Sequence, residues 1–314
     1  LNETMTGQKT ASVRASTAEE LVFLYDGIQI NTMGDPLLDL SMFSTTGLAG
    51  MELVKGGHEK APSSSGTINF IPKMSYGNSI LFNQQFGTYN YGGYNVFGSL
   101  GFKYATLNSG LSEGQFSQVY SDTSAPEINT NNQRIFANTG FRNGKNLEIR
   151  FMGLQNTKSF KNSRTSDSVS VSMQNIIAKM NHSHPLGGSL VLYGLYQGYK
   201  GYEGTTIVSK NKEDTNLGFG FEIEKDIQNA TLRITNESSY PTADWEVDTL
   251  PVFIRRQNFI FTGSFEIYQP EKDKKIQLKD VKIVFSKNRI SDIPDTSLGM
   301  YMPHNFWNLT NSLF

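Results

Sequence analysis

The chain has four histidines, His58, His182, His184 and His304, and no cysteine. Thiol catalysis, disulfides and thiolate metal sites are therefore excluded. His182-x-His184 has the spacing of a metal pair, but it meets a turn signal, His184-Pro-Leu-Gly-Gly188, and lacks a third ligand nearby. No nucleophile–base arrangement, phosphate loop or paired-carboxylate scaffold is visible, so neither enzymatic activity, a cofactor nor a bound metal is expected. The remaining chemistry is that of binding. Arg255-Arg256 offers two guanidinium forks able to grip an anionic chelate. Tyr89, Tyr91 and Tyr94 form one aromatic group, and Tyr199, Lys200 and Tyr202 another; both suit stacking on a ligand or hydrogen bonding to it. Each has a plainer reading. Tyrosines also form the girdle of a membrane protein, and an arginine pair suits a charged lipid surface.

Elements must hold these groups, and two textures divide the chain. Before residue 75 short apolar runs are separated by long irregular stretches. Leu21-Val-Phe-Leu-Tyr25 reads as a buried strand, Asp26-Gly27 as a turn, and Ile28-Gln-Ile30 as renewed strand. Met51-Glu-Leu-Val54 and Thr67-Ile-Asn-Phe-Ile71 read as further strands, the last stopped by Pro72. From about residue 79 alternation of period two dominates. Leu217, Phe219, Phe221 and Ile223 alternate with Asn216, Gly218, Gly220 and Glu222, and Leu147, Ile149 and Phe151 alternate with Glu148 and Arg150. Both faces of 189–197 are apolar, and the phase slips between Met173 and Ile176 as at a β-bulge.

Short turns are expected near 143–146, 184–188, 225–229 and 269–275, and longer loops near 118–132, 156–168, 200–213, 241–255 and 287–305. Strict alternation of short and long links makes the two ends of an up-and-down sheet unlike, as in outer-membrane barrels. The pattern gives about 12 strands of roughly 9–12 residues, the span of tilted membrane strands. Mean hydropathy is −0.38 and no apolar run approaches a membrane helix, which does not bear on strands whose faces average out. Lys+Arg 28 against Asp+Glu 29 leaves no basic footprint for nucleic acid.

Residues 21–73 resemble the second half of the plug of TonB-dependent outer-membrane receptors. The resemblance rests on Leu21-Val-Phe-Leu-Tyr-Asp26-Gly27-Ile-Gln-Ile-Asn31, Asp39-Leu-Ser41, Met51-Glu-Leu-Val-Lys55-Gly56 and Gly66-Thr-Ile-Asn69-Phe-Ile-Pro-Lys73, in order and at close to the family spacing. Gly56-Gly57 and Gly34-Asp-Pro36-Leu-Leu-Asp39 look more like the ferric dicitrate branch. The family's Tyr-Gly pair before the last plug strand is missing from 56–65.

The resemblance implies a small mixed α/β plug domain in 1–75. It also implies, in 76–314, about half of a barrel of about 22 antiparallel transmembrane strands. It further implies an outer-membrane transporter, expected as a monomer among lipid and lipopolysaccharide. TonB would engage an N-terminal segment lying outside this sequence, and both chain ends are read as cut. The cargo would be a ferric siderophore or similar chelate. Cobalamin, nickel, an oligosaccharide, or a passive adhesion barrel without active transport are the alternatives. By the same resemblance the loop 31–39, with Asn31, Met33, Gly34 and Asp35, faces substrate, although an Asn/Gly/Asp/Pro turn would reverse the chain in any case. Lys55 and Lys73 are expected to pair with lumen-facing acids.

Overall fold

The structure, a computed structural model, describes residues 2–3, 9–11, 21–30, 38–54, 66–88, 90–118, 128–144, 146–184, 187–227, 230–248, 250–267 and 280–291. It opens with a two-stranded ribbon of β1 (Asn2–Glu3) and β2 (Lys9–Thr10). A small sheet follows, built from β3 (Val22–Tyr25), β4 (Ile28–Gln29), β5 (Leu48–Val54) and β6 (Thr67–Pro72) in the order β4-β3-β6-β5. β3 pairs with β6 in parallel, and the other pairings are antiparallel. The run Val22–Tyr25 becomes a central strand because nearly every residue in it is apolar and both of its faces are covered. Asp26 and Gly27 both take positive φ, 51° and 78°, the backbone that a two-residue hairpin between right-twisted strands requires. Between β4 and β5 lie two single 3-10 turns, Leu40–Met42 and Thr45–Gly47, and Asp39 caps the first. No α-helix occurs among the described residues, so the expected mixed domain is represented by a mixed sheet and these turns.

After a linker, residues 73–78, the chain builds one antiparallel sheet of eleven strands in sequence order. These are β7 (Ser79–Phe86), β8 (Gly92–Gly101), β9 (Ala105–Gln118), β10 (Ile128–Asn143), β11 (Leu147–Asn162), β12 (Asp167–Ser183), β13 (Ser189–Gly204), β14 (Ser209–Ile227), β15 (Ala230–Val247), β16 (Leu250–Ile267) and β17 (Asp280–Ser291). The final strand expected at 306–314 lies outside the described residues.

Three expected long loops are corrected. β11 ends at Asn162 and β12 starts at Asp167. β13 ends at Gly204 and β14 starts at Ser209. β15 ends at Val247 and β16 starts at Leu250. The polar stretches in 156–168, 200–213 and 241–255 are therefore mostly paired strand, and strands of 16–19 residues replace the expected 9–12. Polarity marks where a strand leaves its apolar surroundings, not where backbone pairing stops. The β-bulge expected near Met173–Ile176 is absent. Pairing of β12 with both neighbours runs through it without a shift. The slip arises because Met173 and Ile177 pack inward against the small sheet while Ile176 faces outward.

The small sheet lies against one face of the large one. Leu21, Phe23, Tyr25, Ile28, Ile30 and Phe70 share a single core with Met152, Val171, Met173, Ile177 and Leu195 of β11–β13. Stacked rings at Phe43 and Phe70, 4.9 Å between centroids, extend it.

Candidate functional site

The eleven-stranded wall is inverted relative to a water-soluble sheet. Toward the small sheet it buries Asn108, Asn138, Asn156, Lys158, Asn175, Gln197, Lys212, Asp214 and Asn216. Away from it, Leu107, Phe151, Ile176, Leu192, Leu217 and Phe219 are exposed, Leu217 at 60% and its neighbour Asn216 at 0%. In water such a surface would forfeit roughly 25 cal/mol for each Å² of apolar area left uncovered. In hydrocarbon it is the stable arrangement, because β8 to β16 are paired on both sides and the exposed side chains of this band are apolar.

The enclosed polar residues hold the inner sheet at four places. At the Asp26 turn, Arg150 of β11 donates to both carboxylate oxygens, at 3.0 and 3.1 Å. Lys179 of β12 donates to the Asp26 carbonyl at 2.6 Å and lies 3.0 Å from its carboxylate. Arg150 also pairs with Glu148 at 2.7 Å. At the end of β4, Gln197 donates to the Ile30 carbonyl at 2.6 Å and to Asn175 at 2.8 Å, and Asn216 donates to Gln197 at 3.0 Å. At the 40–42 turn, Lys158 donates to Asp39 at 2.7 Å and Arg134 donates to the Ser41 carbonyl at 2.5 Å.

The linker forms the fourth place. Asn108 accepts from the Ser75 amide, Thr106 and Ser99 donate to the Ser75 carbonyl, and the Arg142 guanidinium covers the Tyr76 ring at 3.8 Å. Burial pushes the Tyr25 hydroxyl above its ordinary range, so it stays a neutral group where it meets Asn138. Desolvation and Glu148 likewise raise the Tyr76 hydroxyl.

Close approach depends on missing side chains at Gly47 and Gly110. A Cβ on either would run into the Phe136 ring, at 2.8 Å for Gly47, so the two glycines sandwich an aromatic that joins wall and inner sheet.

The residues singled out from sequence fall in different places. Asn31, Met33, Gly34 and Asp35 lie outside the described residues, as do Tyr89, Lys55, His58 and His304. The barrel nevertheless grips both flanks of that loop, at Ile30 and Asp39. Tyr91 sits in the β7–β8 link, exposed, with its hydroxyl donating to Gln85 at 3.2 Å. Lys200 and Tyr202 lie on the outward face at the far end of the wall, the end opposite the start of β7. Lys200 there pairs with Glu213 at 2.7 Å. They border an open groove of ≈ 460 Å³ with Ser170, Ser172, Glu213 and Asp244. Arg255 is exposed over Phe253, 4.9 Å from its ring, opposite Thr242 on β15. Arg256 lies in β16, and its side chain is outside the described set. Lys73 turns its ammonium over the Phe97 ring at 4.0 Å rather than toward an acid.

Arg134, Lys158, Lys179 and Gln197 were missed. Their signal was parity: Lys158, Lys179 and Gln197 share their strand faces with Met152, Ile177 and Leu195 of the common core, and Arg134 shares its face with the buried Phe136, where a cation or amide must find a partner. On the inward face farther out, Glu203 and Lys212 pair at 2.9 Å, and the Trp245 ring NH donates to Asp214 at 2.7 Å.

No family model matches the sequence, and no curated protein is similar to it. Solved structures are similar in fold. The pyoverdine outer membrane receptor FpvA from Pseudomonas aeruginosa PAO1 has a TM-score of 0.65 at 11% identity, over 87% of this chain and 50% of its own. The siderophore receptor PiuA from Acinetobacter baumannii gives 0.65 at 10%, over 92% and 57%. The copper transporter OprC gives 0.68 at 10%, over 86% and 47%. The chain thus spans about half the length of these receptors.

Proposed function

We propose, from the shared fold of plug and barrel wall, that this chain is part of an outer-membrane receptor driving TonB-dependent uptake of a scarce nutrient. In this reading residues 1–75 belong to the plug and 76–314 to the first part of the barrel. The face carrying Leu217 and Phe219 meets lipid. The observation that carries the reading is the inverted wall clasping a small sheet at Asp26, Ile30, Asp39 and the linker. A wall that only had to be filled could use apolar packing alone. One holding a removable plug is better served by polar contacts, which water can replace when the plug moves.

The cargo class we favour is a ferric siderophore or related metal chelate, contacted by the segment 31–39 that follows the Ile30 anchor and ends at the Asp39 anchor. FpvA is named for pyoverdine, PiuA for a siderophore and OprC for copper, which supports a metal-bearing cargo in preference to cobalamin or an oligosaccharide. Lys200, Tyr202 and Arg255 lie outward and serve the membrane surface, so Asn31, Met33, Gly34 and Asp35 carry the contact proposal. The test is growth of a receptor-deficient strain carrying the full-length gene on a panel of ferric and cupric chelates under metal starvation. Rescue by one chelate, lost when TonB is removed, supports the reading. Rescue that persists without TonB, or rescue by no metal chelate, overturns it.

A further inference from the structure

Asp39 touches the N-terminal ribbon, the inner 3-10 turn and the barrel wall at once. Its Oδ1 accepts the Lys9 amide of β2 at 3.0 Å and the Ser41 amide at 2.9 Å. Its Oδ2 accepts the Lys158 ammonium of β11 at 2.7 Å. Lys158 also reaches the Ser41 hydroxyl at 3.2 Å, and its side chain is 2% exposed. Thr10 and Ala11 are buried beside this point, and Ala11 belongs to the common core.

We propose that Asp39 is the positioning residue through which tension on the N-terminal ribbon reaches the barrel wall, a role that rests on the transport reading above. A carboxylate is planar, so its two oxygens move together. If β2 is drawn away and Oδ1 follows the Lys9 amide, the group turns and Oδ2 leaves Lys158. If Oδ1 stays, the Lys9 bond breaks first and the ribbon comes free. Either way the hydrogen-bonded link between ribbon and wall passes through Asp39, beside the apolar contact that Ala11 makes with the common core. The anchors at Asp26 and Ile30 are hydrogen-bonded to the wall by Arg150, Lys179 and Gln197. The linker is bonded to β8 and β9 and stays behind. Opening would therefore begin at the ribbon and the 40–42 turn and spare the end of the domain joined to β7.

The joint is tested by pulling the N-terminus of the full-length protein in lipid nanodiscs by single-molecule force spectroscopy, with no need for transport to operate. Lys9→Pro removes the amide donor from a short ribbon strand, and Asp39→Asn keeps a capping side chain without the charge. The expected result is loss of the earliest force step in Lys9→Pro and its weakening in Asp39→Asn. Lys158→Met should weaken the step less in the Asp39→Asn background than it does alone, its remaining effect being the bond to Ser41. The step retained at wild-type force in both single variants, or equal and additive losses for Asp39→Asn and Lys158→Met, overturns the proposal. Failure of TonB-linked growth with the force step behaving as described would overturn the transport reading alone.

Discussion

Replacing Asp26 by Asn isolates the charge in the most heavily bonded contact between inner sheet and wall. Asn tolerates the positive φ of 51° at this turn, so the hairpin is preserved. Two bonds from Arg150 and one from Lys179 lose their anionic acceptor, while the Asp26 carbonyl keeps its bond to Lys179. The three side chains are 10–21% exposed. Breaking a buried pair by removing one partner costs about 3–5 kcal/mol. Arg150 retains Glu148, and Asn still accepts a hydrogen bond, which argues for the lower end, about 3 kcal/mol. Native-state hydrogen exchange in detergent reads this directly. Amides of Val22–Tyr25 should exchange on the order of 100-fold faster, since each 1.4 kcal/mol is tenfold, while those of β11 and β12 keep their rates. A change of less than about twofold at Val22–Tyr25 would refute the idea that these charges hold the sheet in place.

Three further outcomes follow from the same contacts. Gln197→Leu should destabilise the inner sheet by about 1–3 kcal/mol, because the Ile30 carbonyl loses its donor in a buried place; thermal unfolding of the inner sheet, followed by hydrogen exchange, reports it. Gly110→Ala should cost about 1–3 kcal/mol by overpacking against Phe136, and Phe136→Leu should recover part of that in the same measurement. Phe219→Lys should destabilise the protein folded in lipid vesicles by about 2–4 kcal/mol, whereas Thr206→Lys in the far-end link should change its stability by less than about 1 kcal/mol.

The strand alternation of β14, and the Asp26-Gly27 turn ahead of Ile28, were legible because each depends on neighbours in sequence. Period two fixes which side chains share a face, and a two-residue turn needs residues that accept positive φ. The lengths of β11 to β16 were not. A stretch such as Ser209 to Asn216 is polar on both faces, and polarity alone cannot tell a solvated strand from a loop. Met173 and Ile176 looked out of phase because Met173, like Ile177, turns inward to an apolar sheet that comes from elsewhere in the chain, while Ile176 faces outward. For the site, Arg255-Arg256 and Lys200 drew attention by charge, yet a charge in sequence does not say which side of a wall it occupies. Alternation placed Arg150 on the face opposite Ile149 and Phe151, without saying which face is inward. Its partner Asp26, 124 positions away, required the tertiary pairing.

The most direct test of the inverted wall uses the absence of cysteine. Single cysteines at Asn216, Leu217, Gly218 and Phe219 need no background substitutions. Spin labels there, with the protein in lipid vesicles, report contact with dissolved oxygen, which concentrates in hydrocarbon, or with a polar relaxing agent. High oxygen access at Leu217 and Phe219, and low access at Asn216 and Gly218, is the expected period-two result. Uniform access along the four positions, or access to the polar agent alone at Leu217 and Phe219, would contradict a lipid-facing wall around an enclosed plug.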